Sequence, residues 1–306
     1  MIQSPLNYTG GKFKLLPQIL PLFPKDIDIF VDLFCGGCNV GINVDCNHVI
    51  YNDSDRNLLY IYQTFKILGK ETIIEFIYKI IDKYGLSLVS EYGYDYYGCD
   101  SSKGLGEYNK DKFLKLRDDF NHNTNESHYY YIMLYVMIVY AFNNQIRFNS
   151  NGEFNLPVGK RDFNKKMESK LQDFIDKIEQ QDCSFTCKDF RKFDTTRLNE
   201  DDLVYIDPPY LITCATYNEQ GGWSETDEKD LLKFLDELNS RKIRFALSNV
   251  LRSKGKENKI LIEWLSKNTD KYKVNNLNYS YSNSNYQTKD KTSSSEEVLI
   301  VNYAGG

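Results

Sequence analysis

The sequence predicts an α/β fold in which a Rossmann-like parallel sheet is interrupted by a mostly helical insert that contains a β-hairpin. Two short apolar runs, residues 28–34 and 48–51, end in glycine-rich or acidic segments, as strands of such sheets do. Similar runs return only after residue 183, and helical spacing of apolar residues fills most of the interval. The length of 306 residues allows one large domain or two smaller ones.

Composition limits the function classes. A net charge of −5 excludes a global positive field, so any contact with nucleic acid must be local. The most apolar run, residues 129–142, is about 14 residues long and too short to span a membrane, so it predicts a core helix. Seven cysteines, an odd number, indicate reduced thiols, and the first residues lack a secretory signal. We expect a cytoplasmic protein with no membrane partner.

Two predicted strands near the start of the chain each end in a turn. Residues 28–34 carry Asp32 and run into a glycine turn at residues 35–41, and residues 48–51 run into an Asn-Asp turn. We expect a helix-length crossover to join them, since two such strands in one parallel sheet need one.

A helical region follows from residue 56 to residue 143, with apolar residues at helical spacing. Within it, residues 93–106 are rich in glycine, tyrosine, serine and aspartate, which predicts a loop. Residues 147–155 place Asn151-Gly152 between aromatic positions, which predicts a β-hairpin.

The last third of the chain returns to the α/β pattern. Strand-like runs occur at residues 184–187, 203–206, 243–247 and 298–301, and helical spacing occurs at residues 227–238 and 258–265. The serine- and asparagine-rich residues 280–295 predict a mobile loop between two final strands.

The strongest chemical signal is the segment Asp207-Pro208-Pro209-Tyr210, which directly follows an apolar strand. The prolines fix φ and leave carbonyls without local N–H donors. The amino group of a planar base is a poor nucleophile, and it improves when both of its hydrogens are held by acceptors. The Asp207 carboxylate and the Pro208 carbonyl supply two such acceptors, and Tyr210 is suited to stack on an extruded base. The alternative is a strand-ending turn with a surface aromatic residue.

Three weaker signals accompany it. The loop Phe34-Cys35-Gly36-Gly37-Cys38 allows a nucleoside and an amino-acid group to approach the backbone closely, although an ordinary turn fits equally well. Asp53 is placed to accept hydrogen bonds from ribose hydroxyls, or lies in a solvated turn. Residues 8–12 form a Gly-Gly turn with Lys12 that opens an apolar helix and suits a carboxylate or phosphate, the alternative being a helix cap.

Cysteine spacing offers one competing interpretation. Cys35 and Cys38 have C-x-x-C spacing, and Cys183 and Cys187 are four residues apart, so a four-thiolate zinc site is conceivable. The first pair lies in the glycine loop and the second on a predicted strand. We therefore expect no metal.

Taken together, these segments resemble the Dam/DpnM-type DNA adenine-N6 methyltransferases over nearly the whole chain. The resemblance rests on several ordered motifs: residues 8–12, 32–37, Asp53, 142–149, 152–159, 207–210, Ser248-Asn249 and 297–303. It implies a Rossmann-like S-adenosylmethionine-dependent methyltransferase sheet. It also implies that residues 142–159 are a target-recognition hairpin.

The resemblance implies how S-adenosylmethionine is bound. Tyr8 and Lys12 would lie near its methionine part, and Asp32 with the loop Phe34, Cys35, Gly36 and Gly37 around its centre. Asp53 would bind the ribose. Asp189 and Phe190 would face the adenine, with the Asp189 carboxylate accepting from the exocyclic amine. The Asp207 pocket would receive the target adenine, whose amine attacks the methyl group in line.

The resemblance also implies residues that contact DNA. Arg147 matches the position that reads the guanine before the target adenine, and a guanidinium donates two bonds to guanine O6 and N7. Phe142 matches an aromatic wedge between bases. The alternatives are a hairpin-stabilising arginine and a core aromatic residue. The same segment supplies further candidate DNA-binding residues: Asn143, Gln145 and Asn149.

The chain departs from the pattern of the family at three positions. Cys38 replaces the second glycine of the cofactor loop, Asn7 replaces a lysine that touches DNA, and Gln145 replaces a leucine. Asn7 and Gln145 bear on target choice, so we predict only adenine preceded by guanine.

Local charge favours a DNA-facing surface in spite of the acidic total. Residues 241–260 contain seven basic residues and one acidic residue, and Arg252 and Lys254 lie in the loop after Ser248-Asn249. We expect these two side chains to hold phosphates beside the flipped base. A solubilising lysine loop is the alternative.

The sequence therefore predicts a catalytic domain at residues 1–57 and 166–306 and a DNA-binding target-recognition domain at residues 58–165. Its partner would be double-stranded DNA, and its role would be that of an orphan enzyme or of the modification partner of a restriction endonuclease. Two other hypotheses stay open: methyl transfer to RNA adenine or protein glutamine, and a DNA-binding relative that does not catalyse.

Overall fold

The computed structural model describes residues 1–213, 222–278 and 295–304. Within these residues the chain forms eight strands, β1 to β8: Ile29–Asp32, His48–Asn52, Cys183–Thr186, Leu203–Ile206, Arg244–Ser253, Lys256–Glu257, Lys273–Leu277 and Glu296–Val301. The same residues form eight α-helices, α1 to α8: Leu16–Ile19, Arg56–Tyr84, Val89–Tyr96, Gly106–Asn121, His128–Tyr140, Lys165–Gln180, Glu225–Ser240 and Lys259–Lys267.

The chain divides into two compact units. The helical unit comprises residues 1–11, 36–43 and 55–182, and the sheet unit comprises residues 12–35, 44–54 and 183–306. Helices α2 to α6 belong to the helical unit, and all the named strands belong to the sheet unit.

The strands form one mixed sheet in the order β3-β2-β1-β4-β5-β8-β7, with β6 paired to β5. Strands β3, β2, β1, β4 and β5 run parallel to one another, whereas β8 runs antiparallel to both β5 and β7. The predicted α/β class with a mostly parallel sheet is therefore confirmed, and the strand-like runs of the sequence all lie in it.

The strand order reverses at β1. From β1 the chain fills one side of the sheet with β2 and β3, and then returns to the other side with β4 and β5. Such a reversal leaves a crevice at the carboxyl ends of the two central strands, where ligands of these sheets bind. Asp32 is the last residue of β1 and Asp207 directly follows β4, so both carboxylates stand at the crevice.

The buried Asn52 side chain ties together the chain segments that leave β1, β2 and β3. Its Nδ2 donates to the carbonyls of Leu33 at 2.9 Å and Lys188 at 3.0 Å. Its Oδ1 accepts from the Thr186 hydroxyl at 2.8 Å and from the Lys188 N–H at 3.1 Å. Because a buried amide with unmade hydrogen bonds is costly, these bonds fix the loops at the carboxyl edge of the sheet.

Helix α7 shows why the predicted helices of the sheet unit form. Ser224 and Asp227 make a capping box at its start: the Ser224 hydroxyl accepts from the Asp227 N–H, and the Asp227 carboxylate accepts from the Ser224 N–H. Its apolar face is fully or almost fully buried in the core: Leu231, Leu232, Leu235 and Leu238. Both predicted helices, α7 and α8, are confirmed.

The crossover between β1 and β2 differs from the prediction. It contains only a 3₁₀ turn at Gly41–Asn43 in place of a helix. The loop that precedes this turn has two residues with left-handed backbone, Gly36 at φ +45° and Cys38 at φ +56°, and such residues end helical hydrogen bonding. Parallel pairing of β1 with β2 is nevertheless present.

Helix α5 forms the centre of the helical unit. Every residue from Tyr131 to Tyr140 is buried, as predicted for a core helix. In the described part of the chain, no helix combines the length and the apolar character that crossing a membrane requires.

The predicted loop at residues 93–106 is partly wrong, because helix α3 extends into it as far as Tyr96. Gly93 interrupts the helix with φ +74°, and ring stacking of Tyr92 on Tyr96, with centroids 4.9 Å apart, spans the interruption. The remainder, residues 97–105, is non-helical. A serine- and glycine-rich pattern therefore masked a short helix stabilised by tyrosine stacking.

The predicted hairpin at residues 147–155 forms as one antiparallel bridge between Phe148 and Phe154. The Asn149 N–H donates to the Glu153 carbonyl at 2.9 Å, and Gly152 supplies the left-handed residue of the turn at φ +78°. The chain reverses here without two extended strands. The predicted mobile loop at residues 280–295 lies outside the described residues apart from Ser295.

Gly159 sits where no side chain fits. Its N–H donates to the Tyr140 carbonyl at 2.7 Å, and a Cβ at this position would lie 2.5 Å from the Ala141 carbonyl oxygen. Substitution therefore forces two backbone segments of the helical unit apart.

We expect Gly159→Ala to lower the free energy of unfolding by about 1–3 kcal/mol, the usual cost of overpacking. Urea denaturation followed by circular dichroism measures it. Gly222→Ala is the control, because a Cβ there meets nothing within 4 Å. Equal stabilities of the two variants would contradict the steric argument.

Candidate active site

A cluster of four polar side chains, two of them buried and two partly buried, occupies the carboxyl end of β4 in the sheet unit. We call Lys12, Asp207, Tyr210 and Glu297 the Lys12 cluster. The Lys12 ammonium lies 2.9 Å from Asp207 Oδ1 and 3.8 Å from Glu297 Oε1. The Tyr210 hydroxyl faces both carboxylates, at 3.0 Å from Asp207 Oδ1 and 3.4 Å from Glu297 Oε1. Two carboxylates thus share one ammonium group.

Burial sets the electrostatics of this cluster. Lys12 is 5% exposed and Glu297 is 2% exposed. Burial raises the pKa of Asp207 above its ordinary value, and the Lys12 ammonium and the Tyr210 hydroxyl oppose that rise. Burial also raises the pKa of Tyr210, so its hydroxyl keeps its proton. Lys12 is therefore the group that favours an ionised Asp207, which is a stronger hydrogen-bond acceptor than the neutral acid.

Glu297 is the member of the cluster to which the sequence analysis gave no role. It lies in β8, where it pairs with Val250 of β5 and Leu277 of β7. A buried carboxylate directly before the apolar residues Val298–Val301 of the same strand is unusual, because burying a charge is costly. An acidic residue directly before the apolar run Val298–Val301 is the signal that identifies it in the sequence.

The backbone after β4 is shaped by its two prolines. Pro208 is buried and Pro209 is exposed, and neither carries an N–H. Strand β4 is tied to β5 by a buried hydrogen bond between the Tyr205 and Ser248 hydroxyls, which are 2.8 Å apart. The Lys12 ammonium lies 4.9 Å from the centre of the Tyr210 ring, a cation–π contact that orients the ring.

Three aromatic rings form a second feature of the same sheet edge. We call Phe34, Phe190 and Trp223 the aromatic trio. Ring centroids are 5.6 Å apart for Phe34 and Phe190, 5.8 Å for Phe34 and Trp223, and 5.7 Å for Phe190 and Trp223. Phe34 follows β1 and Phe190 follows β3, so the trio borders the crevice of the sheet. Trp223, which the sequence analysis missed, is the residue before the α7 cap.

The predicted acidic residues at the first two strand ends are both buried. Asp32 ends β1 at 2% exposure, and Asp53 follows β2 at 8% exposure. The Asp53 N–H donates to the Thr186 carbonyl at 3.3 Å, which ties it to the edge of β3. Strand pairing therefore places Asp32, Asp53, Phe34 and Asp207 along one edge of the sheet.

Asp189, unlike the buried Asp32 and Asp53, is exposed, and it belongs to a network of ion pairs. Its carboxylate caps the 3₁₀ turn Phe190–Lys192 by accepting from the Arg191 N–H at 2.9 Å, and it pairs with the Arg191 guanidinium at 3.1 Å. The same guanidinium pairs with Asp227 and with Asp230. A local ion network thus holds the side chain predicted to face the cofactor adenine.

The glycine loop and Tyr8 pack together in the helical unit. A Cβ at Gly36 would lie 2.6 Å from the Tyr8 ring, and one at Gly37 would lie 3.1 Å from Tyr8 Cβ. The Gly36 carbonyl accepts from the Tyr62 hydroxyl at 3.0 Å. Both glycines therefore allow a close approach that a side chain would prevent. Cys35 and Cys38 are buried.

The candidate DNA-binding residues around Phe142 lie on an unusual backbone. Asn143 and Asn144 have φ of +56° and +53°, so two consecutive residues are left-handed. This conformation follows the core helix α5 and leaves the Phe142 ring 50% exposed. The Asn7 side chain donates to the Asn143 carbonyl at 3.1 Å, which joins two predicted contact residues of the helical unit. Gln145 is exposed beside them.

Arg147 and Asn149 lie at the start of the hairpin. Asn155 holds the exposed Arg147 guanidinium, with its Oδ1 accepting from Nε at 2.7 Å and its carbonyl accepting from Nη2 at 3.3 Å. The Asn149 side chain donates to Glu153 at 2.8 Å. Asn149 therefore supports the turn, and Asn155 fixes the direction of the Arg147 side chain.

The two predicted phosphate-binding residues lie at the β5–β6 turn. Arg252 is half-exposed and its guanidinium pairs with Glu257 and Glu296, each at 2.8 Å. Lys254 is exposed with φ +49°. Two carboxylates therefore compete with any phosphate for Arg252.

The zinc alternative has no support in the described residues. None of their histidine, cysteine, aspartate and glutamate side chains form a group of three or more placed to hold a metal ion.

The Asp-Pro-Pro-Tyr segment of this chain thus lies at the strand-order reversal of a mostly parallel sheet. Residues 8–283 match the family described as D12 class N6 adenine-specific DNA methyltransferase. The chain belongs to this family.

Named relatives agree with this membership. The chain is 42% identical over 308 residues to the type II methyltransferase M.FokI of Planomicrobium okeanokoites and 41% identical over 309 residues to the modification methylase StsI of Streptococcus sanguinis. Both matches cover 99% of this chain and 43% of the relative, so the chain spans less than half the length of these two proteins. It is also 26% identical over 249 residues to the DNA adenine methylase of Salmonella typhi, covering 80% of this chain and 79% of that protein.

The Lys12 cluster predicts the effect of removing its only ammonium group. We expect Lys12→Met to lower the free energy of unfolding by about 3–5 kcal/mol, because it leaves two buried carboxylates uncompensated. Adding Glu297→Gln should restore part of the loss by removing one of the carboxylates.

Urea denaturation of the single and double variants measures both effects. Lys25→Met is the matched control, since Lys25 is an exposed lysine of the same unit and its loss should change stability by no more than about 0.5 kcal/mol. A stability of Lys12→Met equal to that of Lys25→Met would refute the buried ion pair.

Proposed function

We propose that the protein is a site-specific DNA methyltransferase that transfers a methyl group from S-adenosylmethionine to N6 of an adenine flipped out of double-stranded DNA. The observation that carries the proposal is the Asp207-Pro208-Pro209-Tyr210 segment at the strand-order reversal, with Asp207 held by a buried ammonium group. Membership of an N6 adenine-specific family supports the choice of acceptor.

The chemistry of the sheet edge fits S-adenosylmethionine, the methyl donor of this family. Aromatic rings suit the face of a purine, and buried carboxylates suit hydroxyl and ammonium groups, which are hydrogen-bond donors. We assign Phe34, Phe190 and Asp189 to the adenine and Asp53 to the ribose. We assign the remaining residues to the amino-acid part and the centre of the cofactor: Tyr8, Lys12, Asp32, Cys35, Gly36 and Gly37.

S-adenosylmethionine supplies a methyl group on a positively charged sulfur. The protein's own task is to make the target amine a better nucleophile. In the proposal the Asp207 carboxylate and the Pro208 carbonyl accept hydrogen bonds from the two amine hydrogens, so that the nitrogen lone pair is less delocalised into the base ring. When the nitrogen bonds to the methyl group it becomes positively charged, and the N–H that faces Asp207 then releases its proton to that carboxylate, from which solvent removes it. Lys12 keeps Asp207 ionised for this purpose, and Tyr210 stacks on the base.

The proposed amine acceptor has fixed partners within the protein, since Asp207 Oδ1 contacts the Lys12 ammonium and accepts from the Tyr210 hydroxyl. A carboxylate has two oxygens and about four acceptor positions, so it can retain these partners while it accepts from the amine. Such fixed partners place the acceptor before the base arrives, and positioning of this kind contributes much of the rate of a bimolecular transfer.

We further propose that residues 58–165 read the target site and that residues 1–57 and 166–306 carry out catalysis. Arg147 would read the guanine before the adenine through O6 and N7, and Phe142 would wedge between bases. The other proposed contacts to DNA come from Asn7, Asn143, Gln145, Asn149, Arg252 and Lys254. Because two relatives are named as a type II methyltransferase and a modification methylase, we also propose a restriction endonuclease as a functional partner.

The test of the proposed function is to incubate the purified protein with unmethylated genomic DNA and S-adenosylmethionine and to map modified bases by single-molecule sequencing. We expect N6-methyladenine confined to one motif with guanine before the adenine. Asp207→Ala should reduce methylation at least about a hundredfold, because the amine loses its charged acceptor.

Calorimetric binding of S-adenosylhomocysteine to Asp207→Ala is the control for its cofactor site. Methylation by this variant at the wild-type rate would remove Asp207 from the mechanism. An unmodified genome in spite of cofactor binding by the wild type would favour an RNA or protein acceptor, or a DNA-binding protein that does not catalyse.

Arg147→Ala tests base reading separately. We expect discrimination for guanine before the adenine to fall by roughly 1–3 kcal/mol, because two hydrogen bonds to the base are lost. Methylation rates on duplexes that vary only at this base measure it. Arg161→Ala, an exposed arginine of the same unit, should leave base choice unchanged. Equal discrimination by the Arg147 variant and the wild type would reject the assignment.

A further inference from the structure

Glu228 is a fully buried carboxylate of α7 that lies outside the Lys12 cluster. Its Oε2 accepts from Trp223 Nε1 at 2.6 Å. Its Oε1 accepts from Asn258 Nδ2 at 2.7 Å and from Asn249 Nδ2 at 3.4 Å. Three separate elements therefore meet on one side chain: the segment before α7, the cap of α8 and strand β5.

Burying the Glu228 carboxylate is costly, because none of the hydrogen-bond donors just named carries a positive charge. Burial raises the pKa of Glu228, and its N–H donors only partly oppose the rise. These donors are neutral amide and indole groups, whereas Asp207 has an ammonium partner. Since well-packed apolar residues commonly stabilise a core as well as buried charges do, stability alone does not account for a carboxylate here. What a carboxylate provides is fixed geometry, because its two oxygens accept from several directions at once.

The geometry fixed by Glu228 is that of the aromatic trio. The Trp223 indole meets the Phe34 ring edge-on, at an interplanar angle of 76°, and is tilted by 38° against Phe190. Trp223 belongs to the segment that leads into α7, whereas Phe34 follows β1 and Phe190 follows β3. Because its indole N–H is hydrogen-bonded to Glu228, the Trp223 ring is held in one orientation relative to the Phe34 and Phe190 rings.

We propose that Glu228 is a positioning residue for the purine of the methyl donor, and that it acts by holding the Trp223 indole in the aromatic trio. The inference rests on the proposed function, because it assumes that the trio contacts the cofactor. Glu228 itself touches neither cofactor nor DNA in this proposal. Its loss therefore weakens cofactor binding without impairing the transfer step once the cofactor is bound.

The chain has two tryptophans, so the surroundings of Trp223 can be followed by fluorescence once the other is replaced. In a Trp264→Phe background, Trp223 is the sole tryptophan, so intrinsic fluorescence reports on its surroundings. The probe is S-adenosylhomocysteine, which carries the same purine and has no methyl group to transfer. Saturable quenching of Trp223 gives its dissociation constant, and isothermal calorimetry checks that value.

The variants are Glu228→Gln, which keeps the shape of the side chain, and Glu228→Ala. The matched control is Asp236→Asn on the same helix. Asp236 lies outside the aromatic trio and accepts from the Tyr272 hydroxyl at 2.8 Å, which is its aromatic donor in this background because Trp264→Phe removes the indole N–H at 3.2 Å. Near-ultraviolet and far-ultraviolet circular dichroism establish that each variant is folded.

We expect both Glu228 variants to shift the Trp223 emission and to weaken binding of S-adenosylhomocysteine about tenfold. The KM for S-adenosylmethionine should rise by a similar factor, while kcat at saturating cofactor stays within about twofold, since uniform binding is lost and transition-state binding is kept. Asp236→Asn should match its parent in the Trp223 emission, the binding of S-adenosylhomocysteine, the KM and the kcat.

Each other outcome overturns the proposal. Unchanged binding in folded Glu228→Gln and Glu228→Ala would mean that Glu228 has only a structural role, and it would leave the proposed function intact. A fall in kcat at saturating cofactor with unchanged KM would place Glu228 in the transfer step. A parent protein that does not bind S-adenosylhomocysteine would refute the cofactor assignment and this inference with it.

Discussion

The ion pair between Lys12 and Asp207 is the interaction on which the sheet unit depends. It joins the segment before α1 to the end of the central strand β4, and both groups are largely removed from water. Taking an ammonium group and two carboxylates out of water is expensive, and their mutual attraction offsets the cost only when the geometry is good. The sheet provides that geometry, because Asp207 follows a strand paired on both sides and Glu297 lies on a strand paired on both sides.

Strand order then determines what surrounds the ion pair. Parallel strands direct their carboxyl ends to one edge, and the reversal at β1 leaves that edge open between β1 and β4. The buried Asn52 side chain bonds to the segments that follow β1 and β3, so the loops carrying Phe34 and Phe190 have fixed starting points. The register of the parallel strands therefore fixes the positions of both the Asp207 carboxylate and the aromatic trio.

Strands β1, β2 and β4 could be predicted from sequence, because each is a short, mostly apolar run that ends in or directly before an aspartate, as Leu203–Ile206 does before Asp207. What could not be predicted depends on distant partners. Lys12 and Asp207 are 195 positions apart and Glu228 and Asn258 are 30 apart, so no local pattern joins them. The missing helix between β1 and β2 has a local cause, left-handed Gly36 and Cys38, and only a backbone conformation reveals it.

Asp207 and Glu228 illustrate how burial alone fails to identify a catalytic group. Both are carboxylates whose pKa is raised by desolvation, and both sit within the sheet unit. They differ in partners: Asp207 has an ammonium group, which favours ionisation, and it keeps an 18% exposed side chain at the crevice. Glu228 is completely enclosed by N–H donors from three elements. A group that must accept a hydrogen bond from a substrate needs both a favoured charge and an approach, and Asp207 has both. Glu228 has no approach, so its carboxylate can act only through the residues it holds.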